Sequence, residues 1–199
     1  MKPSAIAAAT IPQLVTKKNF MNTLGATYLD SAIKLFLTYK TLGDMTFAQL
    51  EEKDFYFSPS EESNSIAVII QHMHGNMLSR WTDFLTTDGE KKGRNRDEEF
   101  NPPSCSKAQL LTLWEEGWRC LIDTLRTLKD EDLLKTITIR HEPLIVIDAI
   151  NRQLAHYPHH VGQIVFLGKM IRDHNWQSLS IAKGDSKSFN KAMEIRHKR

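Results

Sequence analysis

Three histidines fall within five residues in the stretch Gln153-Leu-Ala-His-Tyr-Pro-His-His-Val-Gly-Gln163. His156 and His160 are four residues apart, so on an α-helix they lie about 40° apart on one face, one turn above the other. That spacing lets two imidazoles of one helix grip a single metal ion. Ile145, Ala149, Leu167, Met170 and Ile171 recur on the same face, so the pair points to an apolar interior, where a bare imidazole needs a partner. Hydrogen bonding to core neighbours is the plainer account of a lone buried histidine. A pair at this spacing, with further candidates elsewhere, favours a metal. The familiar metalloprotease helix carries a Glu directly after its first His as general base. Tyr157 stands there instead, which disfavours peptide hydrolysis by that route.

The elements that must position this pair follow from periodicity. Apolar residues recur at helical spacing over about residues 17–42 (Phe20, Leu24, Ile33, Phe36, Leu37), and Gly43 supplies a stop. Residues 46–56 predict a short helical turn around Phe47 and Leu50. Ser58-Pro-Ser-Glu-Glu62 has the hydroxyls and carboxylates of a helix start. It opens a second helix over about 61–87 with the stripe Ile66, Ile69, Ile70, Met73, Met77, Trp81 and Phe84, closed by Asp88-Gly89. Residues 90–103, with Arg94, Arg96 and Asp97-Glu-Glu99, are highly charged and read as a surface loop outside the core.

Ser106-Lys-Ala-Gln109 is a capping box. The third helix it opens runs to about residue 129 and buries Leu110, Leu113, Trp114, Leu121 and Leu125, with Trp118 at the edge. Thr136-Ile-Thr-Ile-Arg140 alternates as a short strand does, and residues 143–146 can return as its partner around His141-Glu142. The fourth helix, about 145–173, carries the histidines, and Pro158 inside it predicts a kink or local break. Residues 1–16 form an arm. Residues 174–199 form a polar extension packed on the bundle or on a partner subunit. One domain spans 1–199, with its core at about 17–173. Four long amphipathic helices with two longer connections predict an all-α four-helix bundle, with a short β-ribbon before the last long helix.

Composition narrows the function classes. Lys and Arg number 26 against 24 Asp and Glu, a formal charge of +2, and no half is strongly basic. A sequence-independent grip on nucleic acid is therefore disfavoured. Cys105 and Cys120 are the only cysteines, too few for a disulfide framework and read as free thiols in a reducing compartment. Ala5 to Ala9 is too short for a signal-peptide core, and no apolar run reaches the roughly 18 residues of a membrane span. A cytoplasmic protein with no membrane partner is expected.

Bundles build metal sites from facing helices, and the second helix offers His72 and His74. Two residues apart, they face nearly opposite ways, so only one can serve. Periodicity favours His74, nearer the Ile66, Ile70 and Met77 stripe. His72 shares a face with Ser65, Val68, Gly75, Asn76 and Ser79, small or polar residues that leave room for a cavity. The two arguments conflict.

Ser65-Ile-Ala-Val-Ile-Ile-Gln-His72-Met, followed far downstream by His156-Tyr-Pro-His-His160-Val-Gly-Gln-Ile, resembles the DinB/YfiT-like superfamily of metal-dependent four-helix-bundle proteins, over about residues 20–173. The stretches 81–90 and 178–184 resemble an uncharacterised DinB-like branch. The resemblance implies three metal ligands at His72, His156 and His160, an up-down-down-up bundle and a homodimer. It implies a divalent ion, Zn or Ni foremost, with Fe or Mn as further candidates. Some relatives are thiol S-transferases that use low-molecular-weight thiols.

Three neutral imidazoles leave a coordination position for water or substrate, as catalytic sites do. The expected function is a metal-dependent enzyme on a small-molecule substrate, by thiol transfer or hydrolysis. The alternative is a non-catalytic bundle that binds a ligand or partner, with structural histidines. No residue of the motif is an obvious general base. Gln163, on the ligand face, and Asn76, one turn from His72, are candidates to orient a ligand or water. His159, about 60° off the pair, belongs to the surface or the pocket rim.

Overall fold

The computed structural model describes residues 23–197. In chain order it has α1 (Leu24–Phe47), a 3-10 turn at Glu52–Tyr56, α2 (Ile66–Trp81), a 3-10 turn at Glu98–Phe100 and α3 (Lys107–Thr127). Then follow β1 (Thr136–Ile139), β2 (Glu142–Ile145), α4 (Val146–Arg172) and α5 (Ser186–His197). The described residues are therefore mostly helical, with five α-helices and one two-stranded sheet. The expected arm at 1–16 and the expected helical stretch at 17–22 lie outside them.

Three of the four long helices start where a hydroxyl serves the first free N–H groups, whereas α4, preceded by Ile145, has no side-chain cap. The Thr23 Oγ1 accepts from the Ala26 N–H, and Ser65 Oγ accepts from the Val68 N–H. Ser106 and Gln109 form the reciprocal capping box that their spacing predicts. Two boundaries differ from expectation. α2 begins at Ile66 rather than about 61, because the hydroxyls of Ser58, Ser60 and Ser63 satisfy one another and nearby carbonyls in a local turn. α2 also ends at Trp81, where Asp83 turns to a positive φ of 48° and its carbonyl accepts from the hydroxyls of Thr86 and Thr87.

Gly43 does not stop α1, which runs on to Phe47. It is a close-approach glycine: a Cβ there would collide with the Trp114 indole of α3. α2 packs chiefly on α3, and α1 on α4. Aromatic rings join the two pairs. Trp118, 1 % exposed and so central rather than at the edge, sits edge-on to Phe36, Trp114 and Tyr157 at centroid distances of 6.3, 5.4 and 6.0 Å. The expected stripe is buried throughout, on α2 from Ile66 to Trp81 and in the following turn at Phe84.

β1 and β2 pair antiparallel in the register Ile139 with Glu142 and Thr136 with Ile145, joined by Arg140 and His141 at φ values of 54° and 65°. α4 is continuous from Val146 to Arg172, so Pro158 causes no break. Burial of Tyr157, Val161 and Ile164 around it outweighs the roughly 3 kcal/mol that an interior proline costs. Of the face expected inward, Ala149 and Leu167 are buried but Met170 is 40 % exposed; the buried face of α4 also takes in Val146, Ile150, Gln153 and Tyr157. The extension is tethered at its start by Gln49, whose side chain accepts from the Gln177 N–H and donates to its carbonyl. No residue of α5 is buried. Among the described residues no helix is long and apolar enough to cross a membrane.

Candidate metal centre

α2 and α4 bring three imidazoles together. One ligand atom from each of His72, His156 and His160 lies within 4.8 Å of the other two, and the ring centroids are 5.5, 4.9 and 4.7 Å apart. His72 is 4 % and His160 9 % exposed. The pair on α4 thus faces a polar site between helices rather than the apolar core itself. His74 is elsewhere: its Nε2 lies 3.4 Å from a carboxylate oxygen of Glu116 on α3. His159 is exposed and touches only the site's edge, with its Nε2 3.4 Å from the Gln163 amide nitrogen.

The outer nitrogens decide the tautomers. The His72 Nδ1–H donates to Glu99 Oε2 at 2.9 Å, since a carboxylate can only accept. The His156 Nδ1–H donates to Gln153 Oε1 at 3.2 Å, and the His160 Nδ1–H to Gln163 Oε1 at 2.9 Å. On the neutral rings of His156 and His160 each Nε2 is then an unprotonated lone pair. Yet Nε2 of His156 and Nε2 of His160 lie 3.0 Å apart, two acceptors face to face.

A shared proton would relieve this only by making an imidazolium. Burial, then the neighbouring His160 and His72, pushes His156 down to about 3. Burial, then His72, takes His160 to about 4 against an opposing hydrogen bond from Gln163. A cation other than the proton fits the donor set. Imidazole nitrogens suit Zn, Ni, Fe or Cu, and tetrahedral ligands at zinc–nitrogen distances sit roughly 3.3 Å from one another.

Glu99 is the residue that sequence reasoning missed. It sits in the stretch read as a loop outside the core, but Glu99 is 7 % exposed and the Arg94 side chain 5 %. Arg94 Nε and Nη2 donate to the two oxygens of Glu99 at 2.6 and 2.7 Å. This paired fork makes burial of both charges tolerable. Burial alone would raise the Glu99 carboxyl, but Arg94 and then His72 hold it below its ordinary value, so it stays an acceptor. Gly75 gives it space: a Cβ there would meet Glu99 Cδ at 2.8 Å. The Gln71 amide donates to the carbonyls of Glu98, Glu99 and Asn101, pinning the loop to α2. Phe100 covers His72, ring centroids 4.7 Å apart.

Of the two amides singled out in the sequence, Gln163 touches a histidine of the cluster, His160. Asn76 does not; its Oδ1 accepts from the Tyr157 hydroxyl, which accepts from Trp81 Nε1–H, each at 3.0 Å. Gln153 could have been found, since it stands three residues before His156 as Gln163 stands three after His160. Cys105 and Cys120 are both free.

The depressed histidines set a pH dependence. A group whose folded pKa lies below its unfolded value of 6.5 takes up a proton on unfolding, so its stabilisation is present above that value and is lost as pH falls toward about 3 to 4. Chelator-treated protein therefore melts at a lower temperature at about pH 5 than at about pH 7. His156→Ala flattens that dependence. An unchanged slope in the variant would assign the effect to other groups.

The fold and the site define a mostly helical protein with a buried three-histidine cluster able to take a metal ion. The chain belongs to the family described as Protein of unknown function (DUF1572), whose model matches residues 23–185. None of the curated proteins matches it.

Proposed function

We propose that this protein is a divalent-metal-dependent enzyme acting on a small molecule, by thiol transfer or hydrolysis, on a DinB-like up-down-down-up four-helix bundle. The observation that carries the reading is the 3.0 Å approach of two unprotonated Nε2 atoms, each held in its tautomer by a glutamine. A site that holds two such lone pairs together, with a third imidazole within reach, is a site for a cation. His72, His156 and His160 are the ligands, and Glu99 and the two glutamines aim them. A divalent ion there supplies Lewis acidity, making a water or thiol nucleophilic near neutral pH. Glu99 is a positioning residue, because Arg94 and His72 already occupy its oxygens.

The test is elemental analysis of untagged protein, followed by turnover assays with defined divalent ions against thiol-transfer and hydrolysis substrates. A near-stoichiometric ion with ion-dependent turnover is expected. Stoichiometric metal with no turnover across the screen would favour a structural site. Chelated protein remains helical and melts cooperatively, because the apolar core is complete without the site, while added ion raises the melting temperature by mass action. Chelated protein unfolded at room temperature would make the ion a folding staple.

The reading includes a cytoplasmic homodimer. α5 leaves Phe189, Met193 and Ile195 at 45, 37 and 69 % exposure, apolar area that a second copy would cover. Light scattering at micromolar concentration checks this, and a monomer would remove it.

A further inference from the structure

A cavity of about 220 Å³ opens onto His72 and His156, larger than the roughly 150 Å³ that accommodates a benzene-sized molecule. Its walls carry Arg80, Arg94, Arg96, Arg140 and Arg152, drawn from α2, the 90–101 loop, the hairpin turn and α4. Two carboxylates answer these five guanidiniums. Glu99 is taken by Arg94. Glu90 Oε2 accepts from Arg80 at 3.0 Å, Arg140 at 3.0 Å and Arg94 at 3.4 Å. The cavity lining thus holds an excess of three positive charges among the described residues.

Arg96 and Arg152 have no carboxylate partner among the described residues, and both flank the ligand histidines. Arg152 stands one helical turn before His156 on α4. Arg96 lies 4.9 Å over the ring of Phe100, which itself covers His72. Arg140 is presented by a turn whose two central residues are both left-handed although neither is glycine, a strained choice. Asp88 braces that turn by accepting from the N–H groups of Arg140 and His141. Arg96, Arg140 and Arg152 are solvent-exposed at the mouth of the cavity, so their heads are free to converge on an anionic occupant of this concave site.

We infer that the cavity binds a small molecule bearing a carboxylate or phosphate group, held by Arg96 and Arg152 with its other end at the three-histidine cluster. This names the substrate class of the site proposed above and rests on that reading for the role of the cluster. The anion-binding half stands on the arginines alone.

The test uses isothermal titration of the full chain with inorganic phosphate and with succinate, at low and high salt. It is run on metal-loaded and chelator-treated protein, so that an anion bound directly to the ion is separated from one bound by arginine. Saturable, salt-sensitive binding of one probe to the chelated protein is expected, and the probe that binds decides between phosphate and carboxylate. Arg96→Gln with Arg152→Gln weakens it by about tenfold or more while metal content is kept. Arg126→Gln, on the exposed face of α3, leaves it unchanged.

No binding of either probe, or equal binding by the double variant and Arg126→Gln, overturns the inference. Metal uptake without anion binding removes the anion pocket only. Anion binding without metal uptake removes the metal-enzyme reading and leaves the pocket standing.

Discussion

His156→Ala and His160→Ala each abolish stoichiometric binding of a divalent ion, as does His72→Ala, whereas His74→Ala leaves binding intact. Each of the first three removes one of the convergent lone pairs, and the loss exceeds the roughly 10–100-fold that a missing hydrogen-bond partner of a ligand costs. His74 faces Glu116 on the far side of α2. The measurement is metal content after dialysis, with competition titration for affinity and circular dichroism to show that each variant is folded. A full equivalent of metal retained by both α4 variants would sink the three-histidine site. Loss in the His74 variant alone would mean that the stripe of α2, and not its small-residue face, points to the ligand.

Glu99→Ala has two effects of different origin. The imidazole of His72 loses the acceptor that fixes its tautomer, and metal affinity falls about 10–100-fold. Arg94, with its side chain 5 % exposed, loses its forked partner, and breaking a buried pair from one side costs about 3–5 kcal/mol. The residual contact of Arg94 with Glu90 at 3.4 Å keeps the cost near the lower end. Glu99→Gln separates the two effects. Its amide oxygen still accepts from His72, so affinity falls less, while its NH₂ group faces Arg94 and stability is still reduced. Thermal melts and metal titrations of the two variants check this. A Glu99→Ala protein that melts and binds metal as the unaltered protein does would show the loop to be a bystander.

Most of the helices could be read from the chain because their causes are local. The capping box at Ser106, the alternation of residues 136–140 and the buried stripe from Ile66 to Phe84 act between residues a few positions apart. The i, i+4 pair on α4 is of the same kind: helix geometry alone puts His156 and His160 on one face. So are Gln153 and Gln163, each three residues from the histidine it holds.

What the chain alone left open depended on contacts between distant segments. Gly43 reads as a helix stop until Trp114 of α3 is seen against it. Nearly every residue of α2 from Ile66 to Trp81 is shielded, so hydrophobic periodicity carries almost no information about which face holds the site. Tertiary packing sends His72 to α4 and His74 to α3. The charged stretch around Arg94 and Glu99 looks solvated because each charge, taken singly, costs too much to bury. Only in the folded chain do the two neutralise each other 27 residues from His72, the separation in sequence between Glu99 and the histidine it orients. The sequence by itself determined the helices and the histidine pair, since those follow from backbone geometry and spacing. The third histidine, its carboxylate and the five arginines come from four separate segments, and a site of that kind exists only where folding brings opposite charges and free lone pairs within hydrogen-bonding distance.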